Sequence, residues 1–104
     1  MTDQEEGKLN DESARGARAR ALLESEPFKN ALEAVKSGIV RAWETSPVRD
    51  AEGQQYLRLM RKVLDDLIKH ISDAADSGKM ADIQLHQEHD LRARVKAAVH
   101  AFRR

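Results

Sequence analysis

A chain of 104 residues has room for one domain, and 40% hydrophobic, 35% charged and 4% aromatic residues describe a small aliphatic core carried on helices. The absence of cysteine excludes disulfides, thiolate catalysis and cysteine-ligated zinc, and it fits a reducing compartment. The formal net charge is zero, but it divides into an acidic head, with a net of −4 over residues 1–12, and a basic tail, with a net of +5 over residues 91–104. Such a gradient suits head-to-tail contact between copies, a basic end offered to an acidic partner, or simply two solvated termini.

The opening MTDQEEGKLNDES is polar and acidic, unlike a secretory signal peptide. Residues 1–12 carry no apolar periodicity and are expected to form a disordered acidic tail. The helical domain is expected to span 13–104. Its first piece, about 13–24, contains good helix formers, but Gly16 weakens it and only Leu22 and Leu23 are large and apolar. It needs something to pack against.

Ser25-Glu26-Pro27 reads as a helix start, because proline suits the first turn and Ser or Glu satisfies orphan amides at the positive end of the dipole. Phe28, Leu32, Val35, Ile39, Val40 and Trp43 then step along one face. Gly38 inside this run either permits a close helix crossing or is merely tolerated, at a cost of about 1 kcal/mol against alanine. Thr45-Ser46-Pro47 ends the helix, since the residue before proline is pushed out of the α region.

Asp50 is the expected N-cap of the next helix, with Glu52 in its first turn. Leu57, Met60, Leu64, Leu67, Ile71 and Ala74 recur at alternating steps of three and four, the spacing of one helical stripe. Tyr56, Leu59 and Val63 form a second row that widens the apolar face. Ser77-Gly78-Lys79 supplies a C′ glycine signal and predicts the end of this helix. About 26 residues at about 1.5 Å each make a helix roughly 39 Å long. Two such helices with a short link usually fold back on one another. The fold class expected is all-α: an antiparallel hairpin of two long amphipathic helices, 26–78, with flanking shorter N- and C-terminal helices. Met80, Ile83 and Leu85 form a small patch suited to the open end. The last helix, 88–103, sets Leu91, Val95, Ala98, Val99 and Phe102 against a basic remainder.

None of the side-chain clusters spells out catalysis. His86-Gln87-Glu88-His89-Asp90 has metal-ligand residue types, but it lacks the His-Glu-x-x-His order and no third ligand is fixed by spacing. Asp65-Asp66 and Asp73-Asp76 are paired carboxylates, yet they alternate with Arg61, Lys62 and Lys69. They read as a solvated face laced with i,i+4 pairs such as Asp65 with Lys69. The expectation is no catalytic residue, no metal site and no cofactor. Interface residues are expected at Trp43, Tyr56, Leu57, Met60, Leu64, Leu67 and Ile71, with Trp43 and Tyr56 either anchoring a partner or meeting beside the loop. Arg92, Arg94, Lys96, Arg103 and Arg104 are candidate phosphate contacts. The same helix also suits an anionic membrane surface, or a bundle that its apolar face completes. No run approaches the roughly 20 apolar residues of a membrane span, and a cytoplasmic protein is expected.

Residues 22–85 resemble a group of small uncharacterised proteins of tailed bacteriophages and prophages. The resemblance is carried by Leu22-Leu23-Glu24 before Pro27-Phe28, by Trp43 followed by Thr45 and Pro47, by Glu52-Gly53 ahead of Leu57 and Met60, and by Gly78-Lys79 with Ala81 and Leu85. It implies a host-cell or virion-associated setting and an assembly role, and it brings no catalytic residues. The function expected is a self-associating assembly protein, either a homo-oligomer or part of a larger phage structure. A nucleic-acid-binding accessory subunit and a phage-encoded inhibitor of a host protein are the alternatives.

Overall fold

The computed structural model describes residues 1–102. Three α-helices and no strand occur among them: α1, Asp3–Glu24; α2, Glu26–Thr45; and α3, Ala51–Phe102. They divide into two compact units, one of Met1–Arg18 with Ala74–Arg104 and one of Ala19–Asp73. The chain passes from one unit to the other within α1 and again within α3. Arg103 and Arg104, expected to contact phosphate, lie outside the described residues.

The first unit departs most from the sequence expectation. Residues 3–12, expected to be a disordered tail, are the opening turns of α1. Thr2 and Glu5 explain the start: the Glu5 amide donates to Thr2 Oγ1 at 3.2 Å and the Thr2 amide donates back to Glu5 Oε2 at 3.3 Å. This reciprocal capping box satisfies two orphan donors, and Asp3, Glu5 and Glu6 favour the positive end of the helix dipole. The acidity that suggested disorder is a helix-start signal.

α3 runs on through Ser77-Gly78-Lys79, where an end was expected. No glycine among the described residues has a positive φ, so Gly78 does not adopt the left-handed geometry of a C′ cap. It faces Gly16 instead. A methyl group built on Gly78 would meet the Gly16 Cα, and would lie 2.9 Å from the Glu12 carbonyl oxygen and 3.0 Å from the Gly16 amide nitrogen. Both glycines are buried, and Ala75, Ala81 and Leu85 on α3 are buried beside them. The backbones of α1 and α3 therefore approach more closely than any side chain would permit. The patch of Met80, Ile83 and Leu85 and the described part of the separate helix expected at 88–103, residues 88–102, belong to α3. Farther along, Ser13 donates to Asp82 Oδ1 at 3.5 Å and Glu6 meets His89 and Arg92. Partner numbers rise on α3 as they fall on α1, so the two segments are antiparallel.

In the second unit the local signals operate as read. Ser25 caps α2, its Oγ accepting from the Phe28 amide at 3.3 Å, with Pro27 in the first turn. Ser46 closes α2, donating from its amide and its hydroxyl to the Trp43 carbonyl at 3.2 and 2.8 Å. Asp50 caps α3 by accepting from the Gly53 amide at 2.9 Å. Side chains of α2 and of residues 51–67 of α3 line shared grooves, late α2 positions facing early α3 positions. Gly38 has open space where a Cβ would be, so it is tolerated and serves no crossing.

Candidate interaction surfaces

The wide apolar face of α3 separates into two rows. Leu57, Leu64, Ile68 and Ile71 are half-buried. Tyr56, Leu59, Met60, Val63 and Leu67 are exposed, Val63 by 66% and Tyr56 by 65%. The expected stripe thus mixes two environments: Leu57, Leu64 and Ile71 are in the sheltered row, while Met60 and Leu67 join Tyr56, Leu59 and Val63 of the second row in the exposed one. Ile68 belongs to the sheltered row and escaped the sequence reading, although its spacing of four from Leu64 and three from Ile71 marks it.

Val35 and Ile39 of α2 join the exposed row to form a groove of about 390 Å³, completed by Leu64. No Asp, Glu, Lys, Arg or His side chain lines it. Ile39 is the one buried apolar residue in this unit among those described. A larger groove of about 470 Å³ is lined by Ile39, Val40 and Trp43 opposite Leu57, Arg58 and Arg61. Trp43 and Tyr56 line different grooves and are both exposed. The charged flank of α3 is laced as expected but with another partner: Arg61 Nε meets Asp65 Oδ1 at 3.2 Å, taking the carboxylate expected for Lys69.

The acidic head and basic tail meet within the first unit. Glu6 Oε2 accepts from Arg92 at 3.3 Å, and Glu6 Oε1 lies 3.5 Å from His89 Nε2. Arg92 also lies 3.6 Å from Glu88, whose carboxylate is 3.9 Å from the N-terminal ammonium. The hydrogen bond with His89, and then the charge of Arg92, hold the Glu6 carboxyl below its ordinary value. Of the five candidate phosphate contacts, Arg92 is therefore occupied by carboxylates. Arg94 and Lys96 have no ion pair among the described residues.

His86 and His89 do not converge on a common ligand site. His86 Nδ1 sits 2.8 Å from the Asp82 carbonyl oxygen, and that bond together with the Asp82 carboxylate raises its pKa. His89 turns to Glu6. Among the described residues no group of three or more His, Asp or Glu side chains could hold a metal ion. No helix among them is long and apolar enough to cross a membrane. Comparison with protein-family models, with curated proteins and with solved structures finds no match.

Proposed function

We propose that this is a small, non-catalytic interaction protein that self-associates through the α2/α3 face and serves as an assembly element. The observation that carries the reading is the exposure of Val35, Tyr56, Leu59, Met60, Val63 and Leu67 as one apolar surface beside a single buried isoleucine. Each such side chain contributes about 1.5–3 kcal/mol when fully buried, and much of that is unrealised here. A second copy realises it. On this reading α2 and residues 51–73 are an antiparallel hairpin, and two hairpins close a four-helix bundle with Met60 and Val63 inside.

Charge supports a second copy as the occupant. The unit Ala19–Asp73 carries nine Lys or Arg and nine Asp or Glu, so two copies do not repel. Lys62, Asp66, Lys69 and Asp73 alternate in sign along the flank. The phage setting, in the host cell or on a particle, rests on the resemblance of residues 22–85 alone. A nucleic-acid-binding role is the weaker reading because Arg92 is engaged by Glu6 and Glu88. Sedimentation of Val63→Glu tests the proposal. The variant should remain helical and sediment as a monomer where the parent does not, and identical sedimentation of the two proteins would refute it.

A further inference from the structure

One interaction surface is left over when the α2/α3 face is set aside. Gly78, Ala81, Leu85, Glu88 and Arg92 follow one another on α3 at alternating steps of three and four, and α1 covers this seam. Gly16 lies against Gly78, the N-terminal ammonium approaches Glu88, and Glu6 reaches Arg92. Ala81 and Leu85 are buried. The same alternation continues into Val95, Val99 and Phe102, past Arg92 and its ion pair with Glu6. There the seam turns apolar and is uncovered: Val95 is 55% exposed, Val99 46% and Phe102 92%, with Leu91 alongside at 57%. A heptad seam specifies a helix as its complement.

The edges specify the charge of that helix. Successive residues are about 100° apart around a helix, so Arg94 and Lys96 sit on opposite edges of the row through Val95. No acidic residue occurs from Leu91 to Phe102. Pairing this segment with itself places cation against cation in either orientation, which the edge positions of helical seams select against. The chain shows the favoured solution two turns earlier, where the acidic start of α1 lies on α3 and Glu6 closes on His89 and Arg92. The acidic start of a second copy is a poor occupant. Its large apolar residues before Gly16 are Met1 and Leu9, and Leu9 is already half-buried.

We propose that residues 91–102 of α3 are a docking site for an acidic amphipathic helix of a different protein, continuing along α3 the path that α1 occupies. Phosphate binding would use the cations and leave Leu91, Val95, Val99 and Phe102 in water. A lipid surface favours faces rich in Trp, Phe and Leu, and this face has no tryptophan and only Leu91 and Phe102 of that kind. The proposal is independent of the α2/α3 interface.

The test is a fluorescence titration of the full chain with a labelled three-heptad peptide bearing leucine on its seam and glutamate on both edges. A companion peptide carries lysine on the edges. Saturable binding of the acidic peptide is expected, weakened about tenfold or more by Val99→Asp and unchanged by Val63→Glu. Arg94→Glu with Lys96→Glu should exchange preference, losing the acidic peptide and gaining the basic one, which a merely misfolded variant would not do. Failure of the acidic peptide to bind, or binding indifferent to Val99→Asp, overturns the proposal. So does binding of phosphatidylglycerol vesicles or duplex DNA in its place, or self-association of the parent that Val99→Asp abolishes.

Discussion

Replacing Gly78 by alanine sets two effects of known size against each other. Alanine is favoured over glycine inside a helix by about 0.8–1 kcal/mol, so α3 alone would gain. At the crossing, however, the added methyl meets the Gly16 Cα and lies 2.9 Å from the Glu12 carbonyl oxygen. Every obstructing atom is backbone, so no rotamer change relieves it, and α1 must move away. Overpacking of this kind costs about 1–3 kcal/mol, and separation also loosens the contacts of the buried Ala81 and Leu85. The net expectation is destabilisation of up to about 2 kcal/mol, and Gly16→Ala should behave alike because its methyl meets Gly78 and the Ala74 carbonyl. Gly38 and Gly7 are the controls. A methyl at either position meets nothing within 4 Å, so each alanine should stabilise by the propensity term of about 0.5–1 kcal/mol. Urea denaturation followed by circular dichroism compares the four variants. Gly78→Ala as stabilising as Gly38→Ala would refute the close crossing.

Four further outcomes follow from other residues of the two units. Val63→Glu should change the stability of an isolated chain by no more than about 0.5 kcal/mol, since the site is exposed, while weakening self-association by several kcal/mol through an unpaired buried charge; dilution followed by light scattering separates the two. Leu64→Ala should instead lower stability itself by about 1–3 kcal/mol because Leu64 is half-buried, which equilibrium denaturation reads. Acidification should loosen the start of α1. The folded pKa of Glu6 lies below its ordinary 4.5, so its contribution is complete above that value and is lost as pH falls through the folded one. Hydrogen exchange at residues 3–12, corrected for intrinsic rates, should therefore accelerate only once pH has fallen below 4.5. A profile identical to that of Glu6→Gln would contradict the assignment. His86 has the opposite sign. Its raised pKa favours the folded chain below 6.5 and loses that effect as pH rises through the folded value.

The legible parts of this chain are those encoded within one turn. Ser25, Pro27, Ser46 and Asp50 act within three residues of where they stand, and the boundaries they imply are the ones observed. Thr2 and Glu5 carry the same kind of signal, but the acidic, polar composition around them reads as disorder and masks the box. Gly78 was ambiguous in principle. A glycine ahead of polar residues suits a C′ cap and a helix crossing equally, and the choice rests on Gly16, far away in the sequence. Once Gly78 ceases to be an end, the 26–78 unit and the 88–103 helix lose their boundaries together. The apolar face of α3 was also visible, but which of its rows turns toward α2 depends on the partner helix. Met60 and Leu67 therefore shared a stripe with Leu64 in the sequence and diverge from it in the structure.

The most direct test of the α2/α3 face as a subunit interface is the solution mass by light scattering after size exclusion, at low and at high salt. An interface lined by Val35, Met60, Val63 and Leu67 carries no screened charge, so a defined oligomer that persists at high salt is expected. A mass of 11.7 kDa at both salt concentrations, with Val63 and Met60 left in water, would contradict the account.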